Sequence, residues 1–155
     1  MEGKLLLIGQ APLRTGDASK VLAGRSGVWI ADLMGVPLAE HLAGTDRVNL
    51  FDEWPGRNGK GDRWNMLEAG RRARGMVQLL RGRMVIFVGR SVAAAFGLPR
   101  IPWMTWIERF GAEVASIPHP SGIVRWWNDA DNRDAAGEFM RAAVAHGGGI
   151  REVML

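Results

Sequence analysis

Short apolar runs alternate along the chain with longer stretches of mixed polarity, and this pattern predicts buried strands alternating with helices. The predicted strands are Leu5–Ile8, Arg47–Phe51, Met84–Val88 and Glu113–Ile117. The predicted helices are Gly27–Met34, Trp64–Arg81 with Asp62 as its N-cap, Ser91–Phe96, and Asp129–His146 ending at Gly147–Gly149. Such an alternation favours an α/β fold whose mainly parallel sheet is covered on both faces.

Composition is that of a globular domain, and we expect residues 1–155 to form a single one. The chain has 155 residues, of which 47% are hydrophobic and 23% charged, with a formal net charge of +4. Most of its cations are arginine, which suits phosphate and bases, although genomic base composition also raises arginine content. The absence of cysteine excludes disulfides, thiolate metal sites and a cysteine nucleophile. The apolar run near the start is too short for a leader or a membrane span, so we expect a cytoplasmic protein that does not contact a membrane.

Glycine and polar residues follow each predicted strand. They are Gly9–Gln10, Asn49 and its neighbours, Gly89–Arg90, and His119. Because ligands of open parallel sheets bind outside the carboxyl ends of the strands, we expect these residues to meet at one edge and form the site.

Three of these residues have chemistry that suits a flat polar ligand. His119 lies between Pro118 and Pro120, which restrict the backbone on both sides, and it is followed by Arg125 and two tryptophans. This segment is either a donor aimed at a ligand or a proline-rich turn whose tryptophans fill the core. The amide of Asn49 either reads the edge of a pyrimidine or caps nearby backbone. Gly9 either lets backbone approach a ligand or is an ordinary exit from a strand.

Other motifs lack the required spacing. Gly56–Lys60 has too few residues for a nucleotide-triphosphate loop, and Asp129–Asp134 lacks the glycine and oxygen ligands of a calcium loop. His41 and His146 have no metal-ligand spacing, and we expect both to lie on the surface.

The chain resembles the uracil-DNA glycosylase superfamily over most of its length. The stretches that carry the resemblance are Gly9-Gln-Ala-Pro12 with Asp17, Gly24-Arg-Ser-Gly27, Val48-Asn-Leu-Phe51 before Trp54-Pro-Gly56, Val85-Ile-Phe-Val-Gly-Arg-Ser91, and His119-Pro-Ser-Gly122. The most specific of them is the His-Pro-Ser element at a strand end.

The resemblance implies a three-layer α/β/α sandwich with a central four-stranded, mainly parallel sheet. It implies an enzyme that flips uracil or a modified pyrimidine out of DNA and hydrolyses its N-glycosidic bond. We expect no cofactor and no metal, and nothing in the sequence demands more than a monomer. On the family pattern the catalytic residues are His119, which stabilises the departing base, and Asp17, which positions water. The base-binding residues are Gly9, Gln10, Ala11, Asn49 and Phe51. The DNA-binding residues are Ser121, Gly122, Ile123 as the wedge, Arg125, Trp126 and Arg90.

This chain departs from the family pattern at several positions. Ala11 stands where the best-known branch has a water-activating aspartate, although other branches also have alanine at this position. The iron–sulfur cysteines of one branch are absent. Leu22 falls where an aromatic residue stacks on the flipped base, so we expect Phe51 or Trp29 to replace it. Two alternatives therefore stay open: a binding module for modified bases or single-stranded DNA that has lost turnover, and a nucleotide-processing α/β enzyme acting on a free metabolite.

Overall fold

A computed structural model describes residues 3–12, 21–58, 61–121 and 124–154. Within these ranges the strands are β1 (Leu5–Gly9), β2 (Thr45–Asn49), β3 (Arg57–Asn58), β4 (Gly61–Asp62), β5 (Met84–Val88), β6 (Ile107–Arg109) and β7 (Ala112–Ile117). The helices are α1 (Arg25–Met34), α2 (Leu38–Gly44), α3 (Met66–Leu80), α4 (Arg90–Ala95) and α5 (Ala130–Met154), with a 3₁₀ helix at Arg125–Asn128.

The main sheet has the strand order β2–β1–β5–β7–β6. Strands β2, β1, β5 and β7 run parallel, and β6 runs antiparallel to β7. The predicted α/β class with a mainly parallel sheet is confirmed. The expected count of four strands is wrong, because β6 adds a fifth strand at one edge.

Strand β6 carries little hydrophobic signal. Ile107 is half-buried, whereas Glu108 and Arg109 are exposed. The turn into β7 is Phe110–Gly111, whose φ angles of 60° and 68° suit a two-residue hairpin. The strand is therefore defined by its turn and by its pairing with β7 rather than by its own sequence.

Alternate residues of β1 enter two hydrophobic clusters on opposite faces of the sheet. Leu6 and Ile8 pack in one cluster with residues of α3 and α4, namely Ala69, Ala73, Val92 and Ala93. Leu5 and Leu7 pack in the other with residues of α1 and α5, namely Ile30, Met34, Met140 and Ala143. A strand buried on both faces explains why the first run is continuously apolar.

Helix α3 begins two residues later than expected. Asn65 is its N-cap, since its side-chain oxygen accepts a hydrogen bond of 3.1 Å from the backbone N–H of Glu68. Asp62, the expected cap, lies in β4, which pairs with β3. Similarly, β2 spans Thr45–Asn49 rather than Arg47–Phe51, and α2 precedes it directly.

Helix α5 does not end at Gly147–Gly149 as expected, but continues to Met154. A Cβ on Gly147 would lie 3.0 Å from the backbone nitrogen of Leu5 and 3.2 Å from the carbonyl oxygen of Gly3. This glycine therefore allows the helix to approach β1 closely, and does not stop it. Among the helices of the described ranges, none combines the length and apolar character needed to cross a bilayer.

Candidate functional site

The carboxyl ends of four parallel strands meet at one edge of the sheet. Gly9 ends β1, Asn49 ends β2, Gly89 follows β5, and His119 comes two residues after β7. The predicted convergence of these polar and glycine residues on one edge is confirmed.

Gly9 and Asn49 are paired across β1 and β2. The side-chain Oδ1 of Asn49 lies 2.6 Å from the position that a Cβ on Gly9 would occupy, and Asn49 is only 8% exposed. Backbone pairing continues past the strands, because the N–H of Leu50 donates to the Gly9 carbonyl at 3.0 Å and that of Phe51 to the Gln10 carbonyl at 2.9 Å. The Asn49 amide therefore packs against the backbone at Gly9, the first residue of the Gly9-Gln-Ala-Pro12 motif. Ala11 of that motif is half-buried.

Leu22 is the third member of this corner. Its Cδ2 atom lies 3.3 Å from the Cβ position of Gly9, and its φ angle is +49°. A left-handed leucine is sterically unfavourable, so the surrounding structure must hold it there. The Gly9–Asn49–Leu22 corner is therefore closed on one side by an aliphatic side chain.

The two aromatic residues expected to replace a stacking ring are engaged elsewhere. The ring of Phe51 packs edge-on against Trp64 at 5.5 Å, and the guanidinium of Arg72 lies 4.9 Å above it. The ring of Trp29 packs edge-on against Trp127 at 5.9 Å.

His119 is held from two sides. A Cβ on Gly89, whose φ is +105°, would lie 3.3 Å from the Cβ of His119, and the Gly89 N–H donates to the Ile117 carbonyl at 2.8 Å. On the other side, the indole Nε1 of Trp127 donates to the His119 carbonyl at 2.7 Å. The histidine itself is half-buried. The expectation that a tryptophan of this segment fills the core is confirmed for Trp127, which is 2% exposed. The role of His119 as a donor to a ligand stays a prediction.

The segment after His119 leads into the 3₁₀ helix. The N–H of Val124 donates to the Ser121 carbonyl at 3.1 Å. Arg125 is exposed, and Trp126 is half-buried with its ring edge-on to Trp127 at 4.8 Å. Gly122 and Ile123 lie outside the described residues, as does Asp17.

Arg90, expected to contact DNA, binds a neighbouring loop. Its Nη1 donates to the carbonyls of Pro99 and Ile101, each at 3.2 Å, and its guanidinium lies 4.1 Å above the ring of Trp103. These contacts position the 99–103 loop. A role for Arg90 in DNA binding stays a prediction.

Two residues near the corner were not predicted as part of the site. Arg47 lies in a predicted strand without an assigned role, but its guanidinium donates to the carbonyls of Val21, Leu42 and Thr45. The signal that could have identified it is its position two residues before Asn49, which places both side chains on the same face of the strand.

The expectation that His41 lies on the surface is wrong. The residue is 2% exposed, and within the described part of the chain neither ring nitrogen makes a hydrogen bond of standard geometry, although a weaker contact with the backbone of Leu22 is present. Burial and, second, the charge of Arg47 lower the pKa of His41, while the backbone of Leu22 opposes that shift. His41 is therefore a buried neutral imidazole beside the arginine that reaches Val21.

Two surface grooves lie beside this edge region. One, of about 570 Å³, is lined by Phe51, Asp52, Glu53, Trp54, Pro55, Arg63, Asn65, Glu68 and Arg72. The other, of about 490 Å³, is lined by Arg25, Val28, Trp29, Asp32, Leu33, Arg133 and Asp134. As the described residues define them, both grooves flank the Gly9–Asn49–His119 edge and do not include it. Within the same residues, no three His, Asp or Glu side chains cluster closely enough to hold a metal ion.

No family model matches the chain, and no curated protein matches it.

Proposed function

We propose that this protein is a DNA glycosylase of the uracil-DNA glycosylase type, which hydrolyses the N-glycosidic bond of uracil or a modified pyrimidine flipped out of DNA. The observation that carries the proposal is the presence of an amide and an imidazole at the same edge of a mainly parallel sheet. Asn49 lies over Gly9 at the end of β2, and His119 follows β7. The proposal includes the layered α/β/α arrangement of that superfamily, here with one additional edge strand.

Strand alternation supports a common pocket for the two side chains. Leu7 of β1 and Ile117 of β7 both belong to the cluster that faces α1 and α5. Gly9 lies two residues beyond Leu7 within β1, and its partner Asn49 is in register with it, so both continue on that face of the sheet. His119 follows Ile117 by two residues just past the end of β7, and in this proposal it faces the same side.

Strand spacing supports a ligand of the size of one base. Strands β2 and β7 are separated by β1 and β5, so their backbones are about 14 Å apart at three interstrand spacings. In this proposal Asn49 and His119 reach inward from the two sides, and a single flat ring fits between them. A pyrimidine bound there offers one edge to the Asn49 amide and a carbonyl oxygen to the imidazole.

The chemistry follows from that arrangement. The bond between the sugar C1′ and N1 of the base breaks, and the electron pair leaves with the base. His119 hydrogen-bonds the pyrimidine oxygen on which this negative charge develops, which is electrostatic stabilisation of the leaving group. Water then bonds to C1′, and the proton that it loses passes to the released base anion through solvent. In this proposal Asp17 positions the water, the backbone of Gln10 and Ala11 contacts the base, and Phe51 supports the strand that carries Asn49.

Contacts to DNA are proposed along the segment that follows His119. Ser121, Gly122 and Arg125 contact the backbone of the strand, Ile123 is the wedge, and Trp126 covers the vacated stack. Arg90 extends this surface from the end of β5.

The test is cleavage of labelled oligonucleotides that carry uracil, 5-hydroxymethyluracil or another altered pyrimidine, followed by alkali to cut abasic sites. Wild type is compared with His119→Ala and with a control variant, His146→Ala. His146 is exposed on α5. We expect cleavage by wild type and His146→Ala, and a loss of at least about 100-fold in His119→Ala with the fold unchanged by circular dichroism.

Other outcomes identify the alternatives. If wild type binds these oligonucleotides but cleaves none of them, the protein is a binding module for DNA. Wild type that hydrolyses free nucleosides or nucleotides but not DNA is a metabolite enzyme. Either result overturns the proposal.

A further inference from the structure

We infer that Arg47 is a positioning residue that holds the Val21–Leu22 backbone in place, so that the Leu22 side chain limits which pyrimidines fit the Gly9–Asn49 corner. The anchor stands on geometry alone. Its consequence for base selection rests on the proposed function.

Arg47 joins two separate pieces of backbone. Its Nε donates to the Val21 carbonyl at 3.0 Å, and its Nη1 donates to the Leu42 carbonyl at 2.9 Å and to the Thr45 carbonyl at 2.7 Å. The Thr45 hydroxyl accepts a further hydrogen bond from Nη1 at 3.0 Å. An arginine whose planar donors are distributed in this way fixes the geometry of the segments it joins, which a flexible ammonium does not do.

The anchored segment is one that needs support. Leu22 has a φ of +49°, a conformation that costs a leucine energy unless its neighbours impose it. Helix α1 supplies the second constraint, because a Cβ on Gly27 would lie 2.1 Å from the Leu22 carbonyl oxygen. The backbone of Leu22 is therefore held between the guanidinium of Arg47 on one side and the glycine of α1 on the other.

The anchored side chain forms a wall of the candidate base site. Leu22 Cδ2 and Cγ lie 3.3 Å and 3.4 Å from the Cβ position of Gly9, which Asn49 Oδ1 also approaches at 2.6 Å. A branched aliphatic side chain beside the base-reading amide restricts the substituents that a bound ring can carry there. Discrimination of one methyl group in a well-packed apolar site is worth about 10- to 200-fold.

The experiment compares Arg47→Met, Arg47→Lys and Leu22→Ala with wild type. Arg83→Met is the matched control, since Arg83 is also a mostly buried arginine that donates to a backbone carbonyl, that of Lys4. Its guanidinium also pairs with Asp46 of β2, so this variant removes an arginine contact to the same strand without removing a contact to Val21. Hydrogen exchange of peptides covering residues 21–28 measures the anchor. The ratio of kcat/KM for uracil over thymine and 5-hydroxymethyluracil in one duplex measures selection.

We expect both Arg47 variants to raise exchange in residues 21–28 at least about 10-fold and to leave β5 protected. We expect the uracil ratio to fall at least about 10-fold in the Arg47 variants and in Leu22→Ala. Arg47→Lys keeps the charge but not the planar donors, so a lysine variant resembling Arg47→Met supports anchoring over a charge effect. Arg83→Met is expected to leave both measurements unchanged.

Exchange that stays at the wild-type rate in both Arg47 variants overturns the anchor. Faster exchange with an unchanged uracil ratio overturns the role in selection. If wild type cleaves no DNA at all, the proposed function and the role in selection fail together, and the exchange result alone decides the anchor. If Arg47→Met does not fold, Arg47→Lys and Leu22→Ala decide both points.

Discussion

The Oδ1 atom of Asn49 occupies the space in which residue 9 would carry a side chain, 2.6 Å from the Cβ position of Gly9. No real side chain tolerates that separation, so glycine at this position is a condition for the placement of the amide. The amide that we propose reads the base is thus fitted to the backbone of the neighbouring strand.

Gly9→Ala is therefore expected to displace Asn49 and to reduce cleavage by at least about 10-fold, and to destabilise the fold by about 1–3 kcal/mol through overpacking. Cleavage assays and urea unfolding measure the two effects. The matched control is Gly75→Ala in α3, where a Cβ meets nothing within 4 Å. Relief of a helical glycine is expected to stabilise that variant by about 0.5–1 kcal/mol. Full activity in Gly9→Ala would contradict the role of the corner.

The strands and the edge residues could be predicted because their signals are local. Leu5–Ile8 and Met84–Val88 are buried on both faces, so each reads as a continuous apolar run. The location of Gly9 and Asn49 at one edge of the sheet then follows from the rule that the carboxyl ends of parallel strands meet at a common edge. No assumption about distant parts of the chain was needed.

The corner itself could not be predicted, because it is made by contacts between residues far apart in sequence. Arg47 reaches Val21 across 26 positions, and Leu22 takes a left-handed conformation with no glycine or asparagine to signal it. His41 has no apolar pattern around it that indicates burial. For the same reason β6 and the continuation of α5 were missed, since both depend on packing against partners rather than on their own residues.

Trp127→Phe is expected to weaken the support of His119. The indole N–H donates to the His119 carbonyl at 2.7 Å, and phenylalanine retains the ring but not the donor. Loss of this hydrogen bond is expected to cost about 0.5–1.5 kcal/mol in stability and to lower kcat more than it changes KM. Steady-state kinetics and thermal unfolding provide the measurements.

The control for that variant is Trp106→Phe, whose ring stacks on Phe139 at 5.2 Å on the face of the sheet that packs against α5. This substitution replaces an indole of the same size in a ring pair that does not include His119. A kcat that falls equally in both variants would mean that general loosening, and not the position of the histidine, limits the reaction.

Arg125→Ala is expected to weaken duplex binding and to reduce its salt dependence. Arg125 is exposed at the start of the 3₁₀ helix that follows the His119 segment. If it neutralises one phosphate, the slope of log K against log salt falls by about 0.9 when it is removed. Fluorescence anisotropy across a salt series measures this slope. Arg109→Ala is the control, because Arg109 pairs with Ala112 at the opposite end of the sheet. An unchanged slope in Arg125→Ala would exclude a phosphate contact.

Acid is expected to destabilise the fold through His41. Its pKa is lowered in the folded protein, first by burial and second by Arg47, so the unfolded chain binds the proton more readily. The free energy of unfolding therefore falls as pH drops below the ordinary histidine pKa of about 6.5, by at most about 1.4 kcal/mol per pH unit, until the folded pKa is reached. Above the ordinary histidine pKa of about 6.5, this residue does not make the free energy of unfolding depend on pH.

Urea unfolding at a series of pH values between 5 and 8 measures this effect in wild type, His41→Leu and His146→Gln. We expect His41→Leu to lose part of the slope below pH about 6.5, and His146→Gln, altered at an exposed site, to keep it. Because a charged His41 would stand beside the guanidinium that holds Val21, acid is also expected to lower the hydrogen-exchange protection factors of residues 21–28 in wild type, measured relative to the intrinsic exchange rate at each pH. That loss of protection should be absent from His41→Leu. Equal acid slopes in wild type and His41→Leu would show that the buried imidazole is not the group that titrates.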